Sequence, residues 1–376
     1  MMDLNELRKR IDEIDEKIVS LYEERMEISE EVAEYKIANG KNVLDKEREN
    51  AKLEKVRSLT HNDFNALGVT ELFKQLMSMS RKKQYALMGE KGMFAHTAFI
   101  PVKKLEKENV KVVFQGINGA YSEAAMREYF GDEVDAFNAA TFRDAMRIID
   151  EGLADYGVLP IENSSSGIVN ANYDLLTEFE NYIVAEQYIN IDNCLIALPG
   201  VTEPEIDTVY SHPQALMQCA PFLDDHPSWK QISYVNTAMS AAKIKEDGLR
   251  NQAAIAGERA AETYGLEILR RDINSSDGNA TRFIIVTNRK IFVEDAEKIS
   301  ICFELPHKSG SLYGILSHII YNDRNMTKIE SRPIPDRPWE YRFFIDFEGN
   351  LNDPATRNAL RGLREETRNM RILGNY

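Results

Sequence analysis

The sequence predicts a multidomain protein with an all-α segment, an α/β segment and a ferredoxin-like βαββα module. Residues 1–88 contain no proline and carry a helical repeat of apolar residues. Residues 110–290 alternate short apolar runs with helical stretches, and residues 298–376 give the order strand, helix, strand, strand, helix. Residues 89–109 lose this periodicity and are predicted to be a linker. A chain of 376 residues is also too long for one core.

The composition limits the classes of partner. The formal net charge of -15 argues against nucleic acid and anionic membranes. No apolar run approaches the ~20 residues that span a bilayer, and a charged N-terminus predicts no signal peptide. The three cysteines, Cys194, Cys219 and Cys302, lie far apart, which favours reduced thiols in the cytoplasm over a disulfide or zinc site. The histidines show no metal-ligand spacing, so no metal site is expected.

The first helix has a seam of residues at alternating three- and four-residue steps. Such a seam predicts a long helix that packs against partner helices. Arg25 occupies a seam position, and Lys36, eleven residues later, shares its face. Two cations on a buried stripe are costly unless they are paired. The seam residues are Leu4, Leu7, Ile11, Ile14, Ile18, Leu21, Arg25, Ile28, Val32 and Tyr35.

Polar residues also interrupt the next two helices. The first helix should end near Asn39-Gly40, and the second should begin around Asp45, with Arg48 and Glu49 on the same face. The third helix places Ser80 and Gln84 at seam positions. One interpretation is a coiled-coil dimerisation segment in which buried polar residues fix the register. The joint presence of cations, carboxylates and neutral polar groups favours a binding pocket inside a bundle.

The segment LRKRIDEIDEKIVSLYEERMEIS…YK…VLDKERE, with a later S-x-x-x-Q, resembles the all-helical chorismate mutase family. The resemblance implies an intertwined homodimer. Arg8 would reach the partner's site, since it lies about 25 Å from Arg25 along the helix at ~1.5 Å per residue. It also implies that chorismate rearranges to prephenate through carboxylate clamping and stabilisation of the breaking ether. The implied roles are carboxylate binding for Arg8, Arg25 and Arg48, ether contacts for Lys36 and Gln84, a hydroxyl contact for Glu49, and further substrate binding for Asp45 and Ser80.

Four polar loops of the α/β segment follow or precede strand-like runs. They are FQGINGAYSEAA, VLPIENSSSGIV, VYSHPQALMQCAPF and DGNATRF. Each alone could be an ordinary capped turn. Together they would line the crevice where open α/β sheets bind ligands. Arg282, at the start of an apolar strand, must meet an anion, which is either a structural carboxylate or a substrate.

The motifs GAYSEAA, PIENSSSG, SHPQ and N-x-TRF occur in the order found in prephenate dehydratases, and the segment resembles that family. The resemblance implies two α/β lobes, like those of periplasmic binding proteins, with the cleft between them. Prephenate would lose CO₂ and its ring hydroxyl together. Thr281 would be the catalytic residue at the departing hydroxyl. The implied substrate-binding residues are Glu162, Asn163, Ser211, Gln218 and Arg282, the last of which would hold a carboxylate.

The C-terminal motifs PHKSGSLYGIL and KIESRP resemble the ACT regulatory domain. The resemblance implies that phenylalanine binds at a dimer interface and inhibits the enzyme. Its carboxylate would meet the helix that begins at Gly310. Ser311 departs from the alanine that is usual there, and a plain dimerisation module is the alternative. The implied binding residues are Gly310, Ser311, Leu312 and Tyr313, with Glu330, Ser331, Arg332 and Pro333 as the facing wall.

The combined prediction is a cytoplasmic, bifunctional enzyme that makes phenylpyruvate from chorismate through prephenate without a cofactor. Phenylalanine is the expected effector, and a homodimer or higher homo-oligomer is the expected assembly. Two alternatives remain at this point. The protein could be a non-catalytic sensor of aromatic metabolites, although a simple dimerisation segment has no need for Lys36, Glu49 and Gln84 together. It could also dehydrate arogenate, whose amine replaces the keto group of prephenate.

Overall fold

The computed structural model describes residues 3–91, 98–275, 278–305, 310–335 and 337–376. The chain forms two compact units. The first combines Met1–Ala98 with Glu297–Ile372, and the second combines Phe99–Ala296 with Leu373–Tyr376. The helical segment and most of the C-terminal module therefore belong to one unit. Within the described ranges, no helix is both long enough and apolar enough to span a membrane.

The N-terminal segment is helical, as predicted. Asp45 begins the second helix because its carboxylate accepts a hydrogen bond from the Arg48 amide (3.0 Å). Asn62 caps the third helix in the same way through the Asn65 amide (2.8 Å). The first helix ends before Asn39, where the prediction placed its end. The helices are α1 (Leu4–Ala38), α2 (Lys46–Ser58) and α3 (Asp63–Glu90).

The predicted seam of α1 is exposed along much of its length. Ile14 and Ile18 are 55% and 53% exposed. The buried residues of α1 are instead Met26, Ser29 and Ala33, in its C-terminal half. Elements of the same chain therefore leave the apolar N-terminal half of this 35-residue helix uncovered.

The second unit contains the predicted α/β elements. The apolar runs that predict strands in residues 110–290 all contribute strands: KVVFQ, DYGVLPI, NCLIALP, TVYSH, AAIAG and RFIIVTN. Residues 100–102, inside the predicted linker, also form a strand, so the linker prediction is wrong there: Ile100 pairs with Ile291. The elements are β1 (Ile100–Val102), β2 (Lys111–Gln115), α4 (Tyr121–Phe130), β3 (Asp135–Ala139), α5 (Phe142–Asp150), β4 (Tyr156–Asn163), β5 (Gly167–Ile168), α6 (Asn170–Glu178), β6 (Tyr182–Asn190), β7 (Cys194–Ala197), β8 (Thr208–Ser211), α7 (Pro213–Gln218), α8 (Ala220–Asp224), β9 (Lys230–Ser233), α9 (Thr237–Asp247), β10 (Gln252–Ala256), α10 (Glu258–Tyr264), β11 (Glu267–Arg270), β12 (Ala280–Thr287) and β13 (Ile291–Val293).

These elements form two lobes with separate cores, as predicted. The first lobe is built on a sheet with the order β6-β12-β4-β2-β3, and the second on a sheet with the order β11-β7-β10-β8-β9. Val112, Tyr156 and Phe283 lie in the core of the first lobe. Leu195 and Ile255 lie in the core of the second. Strand β12 is antiparallel to both of its neighbours, β4 and β6, and it carries Thr281 and Arg282 of the DGNATRF motif into the first lobe. Asp277 of this motif lies outside the described residues.

The C-terminal module contains the five predicted elements and one more. The stretch PATRNALRGLREETRN predicts that the last helix runs to Asn369, but the helix ends at Glu366, because Thr367 is extended and a strand follows. That part of the prediction is wrong. The sheet has the order β15-β16-β14-β17. The elements are β14 (Lys298–Glu304), α11 (Ser311–Ile320), β15 (Met326–Pro333), β16 (Tyr341–Glu348), α12 (Pro354–Glu366) and β17 (Arg368–Asn375).

Candidate active sites

Two of the residues predicted from the helical segment meet directly. Arg25 on α1 donates hydrogen bonds to the Leu76 carbonyl (2.8 Å) and to Ser80 Oγ on α3. Ser29 also bonds to Ser80 Oγ (3.1 Å). Burial lowers the pKa of Arg25, although the nearby Tyr22 and Glu49 oppose the shift. The structure therefore holds a partly buried cation between α1 and α3, at the seam position where the sequence has an arginine.

Three further predicted residues line an open cavity of about 790 Å³: Lys36, Asp45 and Arg48. Lys36 Nζ donates to the Val43 carbonyl (2.5 Å), in the turn between α1 and α2. Burial and the positive charge of Arg48 lower the pKa of Lys36, whereas the carboxylates of Asp45 and Glu49 raise it. This end of the bundle therefore places Lys36 and Arg48 in one cavity, together with the carboxylate of Asp45.

Glu49 is held by a residue that the sequence analysis did not identify. Arg81 Nη1 on α3 donates to both Glu49 oxygens (2.6 and 2.5 Å), and Arg81 Nη2 donates to Glu366 Oε1 of α12 (2.8 Å). Burial opposes the charge of Arg81, but the two carboxylates raise its pKa above the ordinary value. No short-range pattern could reveal this contact, because Glu366 is 285 residues away in the sequence.

Gln84 and Arg8 complete the predicted helical set. Gln84 is buried on α3, and its Oε1 atom has no hydrogen-bond partner among the described residues. Arg8 is exposed near the start of α1. Because α1 is one continuous helix from Leu4 to Ala38, Arg8 and Arg25 lie far apart along its axis. The structure therefore does not bring Arg8 to the other seven residues.

In the second unit, Thr281 lies in a network of polar side chains. Its side chain is buried, and Thr281 Oγ1 accepts a hydrogen bond from Asn163 Nδ2 (2.9 Å). Asn163 Nδ2 also donates to Asn279 Oδ1 (2.8 Å). Ser165 Oγ bonds to Asn163 Oδ1 (2.8 Å), and Gln218 Nε2 bonds to Ser165 Oγ (2.7 Å). Asn163 thus contacts Thr281 directly and is joined to Gln218 through Ser165.

The orientation of the Asn163 amide is fixed by backbone groups. Its Oδ1 accepts from the amides of Ser165 (3.0 Å) and Ser166 (2.9 Å), which can only donate. The Nδ2 group must therefore face Thr281. Because Thr281 Oγ1 accepts this bond, its own proton remains available to a different acceptor.

Arg282 and Glu162 lie on the other face of the same strands. Successive side chains of a strand point to opposite faces, and the register pairs Thr281 with Asn163 and Arg282 with Glu162. The Arg282 guanidinium lies 3.4 Å from Glu162 Oε2 and 3.2 Å from Glu186 Oε2. The anions that meet the buried Arg282 in this structure are therefore protein carboxylates, on the face opposite to Thr281.

Ser211 is also separate from the Thr281 network. It is fully buried at the end of β8, and its Oγ donates to the Ile255 carbonyl (2.6 Å). The glycine turn before α4 likewise has an internal partner, because the Gly119 amide donates to Glu123 Oε2 (2.6 Å). Residues that the sequence analysis missed are Ser165, which bridges Asn163 to Gln218, and Asn279, which is two residues before Thr281. The N-x-T spacing was the available signal for Asn279.

The predicted phenylalanine-binding residues lie on two elements of the C-terminal module. Gly310 adopts φ 78° and precedes the first residue of α11, Ser311. Tyr313 is exposed, and its hydroxyl accepts from Gln75 Nε2 of α3 (2.9 Å). The other group, Glu330, Ser331, Arg332 and Pro333, forms the last four residues of β15 and pairs with β16. Leu312 follows Ser311 in α11. Residues 306–309 of the quoted motif lie outside the described residues.

Comparisons with known proteins match both predicted catalytic segments. The model of chorismate mutase type II matches residues 7–85, and the model of prephenate dehydratase matches residues 112–291. A solved prephenate dehydratase from Arthrobacter aurescens, in complex with L-Phe, is 32% identical with a TM-score of 0.66, and the match covers 71% of this chain and 89% of that one. A solved structure described as GqqA, a quorum quenching acylase, is 30% identical with a TM-score of 0.66, over 71% of this chain and 97% of that one.

One relative matches almost from end to end. The bifunctional chorismate mutase/prephenate dehydratase of Escherichia coli (strain K12) is 33% identical over 376 residues, which cover 98% of this chain and 95% of the relative. The match includes the helical segment, the two-lobed unit and the C-terminal module. The chain therefore belongs to the family of bifunctional chorismate mutase/prephenate dehydratases, and it is both an isomerase and a lyase.

Proposed function

We propose that the two reactions use separate residue sets, one in the helical segment and one around Thr281, and that phenylalanine binds the C-terminal module and inhibits the enzyme. The observation that carries the dehydratase assignment is the hydrogen bond from Asn163 Nδ2 to Thr281 Oγ1 (2.9 Å). It occupies a lone pair of Thr281 and leaves the hydroxyl proton for the substrate.

In the dehydratase reaction, the C–O bond to the ring hydroxyl and the C–C bond to the ring carboxylate both break. The electron pair from the lost CO₂ completes the aromatic ring as the hydroxyl departs. Thr281 donates a hydrogen bond to the departing oxygen, and Asn163 orients Thr281. A proton from solvent completes the water molecule that leaves, since threonine is too weak an acid to supply one permanently.

The substrate carboxylates need partners on the same face as Thr281. Asn279 Nδ2 is buried and has no hydrogen-bond partner among the described residues, so we propose it as one donor. Gln218 and Ser165 would position the ring. We further propose that Arg282 and Glu162 stabilise the strand pair rather than contact the substrate, since each already has an oppositely charged neighbour. Ser211 would support the second lobe through its backbone contact.

In the mutase reaction, chorismate rearranges without a nucleophile. Arg25 and Arg48 would bind its carboxylates, and Lys36 and Gln84 would donate hydrogen bonds to the ether oxygen as charge develops there. Glu49 would accept a hydrogen bond from the substrate hydroxyl. Asp45 fixes the start of α2, from which Arg48 and Glu49 project. Ser80 holds Arg25 in place.

We propose that the protein is a homodimer or a higher homo-oligomer in which the exposed seam of α1 packs against a second copy. The seam leaves several large apolar residues uncovered, including Ile11, Ile14 and Ile18. A face of this kind on a soluble chain indicates a protein interface. The partner's helix, whether parallel or antiparallel, would carry its own Arg8. That Arg8 would complete the proposed mutase site, which a single chain leaves without an Arg8.

The proposed phenylalanine site has two sources of support. The solved relative from Arthrobacter aurescens contains L-Phe and is 32% identical. The first turn of α11 presents backbone N–H groups after Gly310, and the N-terminus of a helix is where an amino-acid carboxylate is stabilised. Leu312 and Tyr313 would line the site on α11, and the facing wall would be formed by Glu330, Ser331, Arg332 and Pro333. The three cysteines are free and buried, which is consistent with the further proposal of a cytoplasmic enzyme.

The experiment that tests the reaction assignment compares substrates. Purified protein is supplied with chorismate, prephenate or arogenate, and the products are separated by chromatography. We expect prephenate and then phenylpyruvate from chorismate, and phenylpyruvate from prephenate. We propose prephenate as the preferred substrate of the dehydratase, and faster conversion of arogenate than of prephenate would contradict this preference. Mutase and dehydratase rates that stay unchanged in the presence of L-Phe would contradict feedback inhibition.

A further inference from the structure

We propose that Arg81 is a positioning residue for the mutase reaction, which holds the Glu49 carboxylate in place and shares this task with Glu366 of the C-terminal module. This inference rests on the proposed role of Glu49 toward the substrate hydroxyl. It adds a residue outside the set that the sequence predicted, and it connects the C-terminal module to Glu49 through Arg81.

The contact between Arg81 and Glu49 is well built. Arg81 Nη1 reaches both Glu49 oxygens (2.6 and 2.5 Å), and its side chain is only 10% exposed. Ser80 and Gln84, both in the proposed mutase set, lie on the same helix within one turn of Arg81. A half-buried carboxylate held by a guanidinium has little freedom to turn, because each alternative position would leave a charge without its partner.

Without Arg81, Glu49 would have other cations to approach. The negative charge of Glu49 acts on Arg25 and on Lys36. Both cations are assigned to the substrate, whose own carboxylates and ether oxygen must reach them. A released Glu49 would therefore compete with chorismate for Arg25 and Lys36. The expected kinetic effect is weaker substrate binding, that is, a higher KM, with a smaller effect on kcat.

The second amino group of Arg81 ties this arrangement to the C-terminal module. Arg81 Nη2 donates to Glu366 Oε1 (2.8 Å), and the same oxygen lies 3.1 Å from His318 Nε2 of α11. The guanidinium is planar and rigid, so its two amino groups cannot turn independently. A shift of Glu366 would consequently move the group that holds Glu49. Arg81, Glu49 and Glu366 also line one cavity of about 390 Å³ together with Gly310 and Tyr313.

The test is a double-mutant cycle between Arg81→Met and Glu49→Gln, measured as chorismate mutase KM and kcat. We expect Arg81→Met to raise KM on the order of tenfold, the scale of one charge-assisted hydrogen bond, and to change kcat by less than about threefold. In the Glu49→Gln background, the Arg81→Met change should leave KM unaffected. Arg81→Lys should give an intermediate KM, because it keeps the charge without the fork geometry.

The outcomes separate this inference from the proposed function. An Arg81→Met effect of equal size in both backgrounds would show that Arg81 does not act through Glu49, and would overturn the inference alone. Unchanged mutase kinetics in Glu49→Gln would remove the proposed role of Glu49 and the inference with it. Glu366→Ala should raise KM by about threefold, since Arg81 loses one of its two anchors. An unchanged KM in that variant would overturn the part assigned to the C-terminal module.

Two controls keep the result interpretable. Lys83 lies on the same helix as Arg81, and Lys83→Met removes only its exposed ion pair with Glu30 of α1 (2.7 Å), so mutase KM should stay unchanged. Circular dichroism and dehydratase activity on prephenate report the folding of each variant. If Arg81→Met unfolds, Arg81→Lys and its cycle with Glu49→Gln decide the question. A wild-type KM in Arg81→Lys would then contradict the claim that residue 81 must hold Glu49 and Glu366 at the same time.

Discussion

Replacing Thr281 with valine tests the dehydratase assignment most sharply. Valine has nearly the same shape, so the buried position is filled and no cavity forms. Asn163 Nδ2 loses one acceptor but keeps Asn279 Oδ1 (2.8 Å) and the Ala280 carbonyl (3.2 Å). The stability cost should therefore be about 1 kcal/mol, the value of one hydrogen bond.

The catalytic cost should be much larger. The hydroxyl is the one group proposed to donate to the departing oxygen. Removing a single preorganised donor of this kind costs ~10²–10³ in kcat, or about 2.7–4 kcal/mol of barrier. The assay is the formation of phenylpyruvate from prephenate at saturating substrate, with thermal unfolding in parallel. A Thr281→Val variant that retains more than about a tenth of the kcat would refute the reasoning, because that loss is no larger than one ordinary hydrogen bond. Thr281→Ser, which restores the hydroxyl, is the matched control.

Three further predictions concern the mutase site, the assembly and the effector site. Burial and Arg48 lower the pKa of Lys36, and the cation is the proposed active form, so mutase activity should be lost at a lower pH than the pKa of an ordinary lysine. Lys36→Arg should move this alkaline limb of the pH profile to higher pH. An unmoved limb would contradict the role of Lys36. The double substitution of Ile14 and Ile18 by aspartate should yield monomers in light scattering, since each isoleucine buried in the interface contributes ~1.5–3 kcal/mol to the free energy of association. Mutase activity should fall, and dehydratase activity should stay. A dimer of wild-type stability would refute the seam interface. Gly310→Ala should weaken L-Phe binding in calorimetry, because a backbone φ of 78° costs an L-residue about 1–2 kcal/mol. The matched control Gly314→Ala, in α11, should bind L-Phe normally. Equal affinities in the two variants would argue against a site at the start of α11.

Much of the fold followed from local patterns. The alternation of apolar runs located the strands of both lobes, and the Asp45 cap marked the start of α2. The final strand was missed because a polar, helix-compatible stretch leads into it without a proline or glycine at the boundary. Strand β1 was missed because its three residues pair with a distant segment, Ile291–Val293. Pairing over such separations leaves no periodic signal in the sequence.

The site was predictable to a different degree at different residues. The alternation of side chains along a strand could have shown from sequence alone that Thr281 and Arg282, as neighbours in β12, face opposite ways. The carboxylates around Arg282 could not be found in this way, since Glu186 lies 96 residues from it in the sequence. The pairing of Arg81 with Glu49 and Glu366 likewise depends on tertiary contacts between three helices.

The central claim is that one chain carries two independent catalytic sites, and a pair of variants tests it directly. Chorismate is supplied to Thr281→Val and to Arg25→Ala, and prephenate and phenylpyruvate are followed over time. We predict that Thr281→Val accumulates prephenate at the wild-type rate and forms phenylpyruvate ~10²–10³-fold more slowly than the wild type. Arg25→Ala should leave chorismate unconverted and still turn added prephenate into phenylpyruvate. Loss of both activities in either folded variant would contradict the assignment of separate sites.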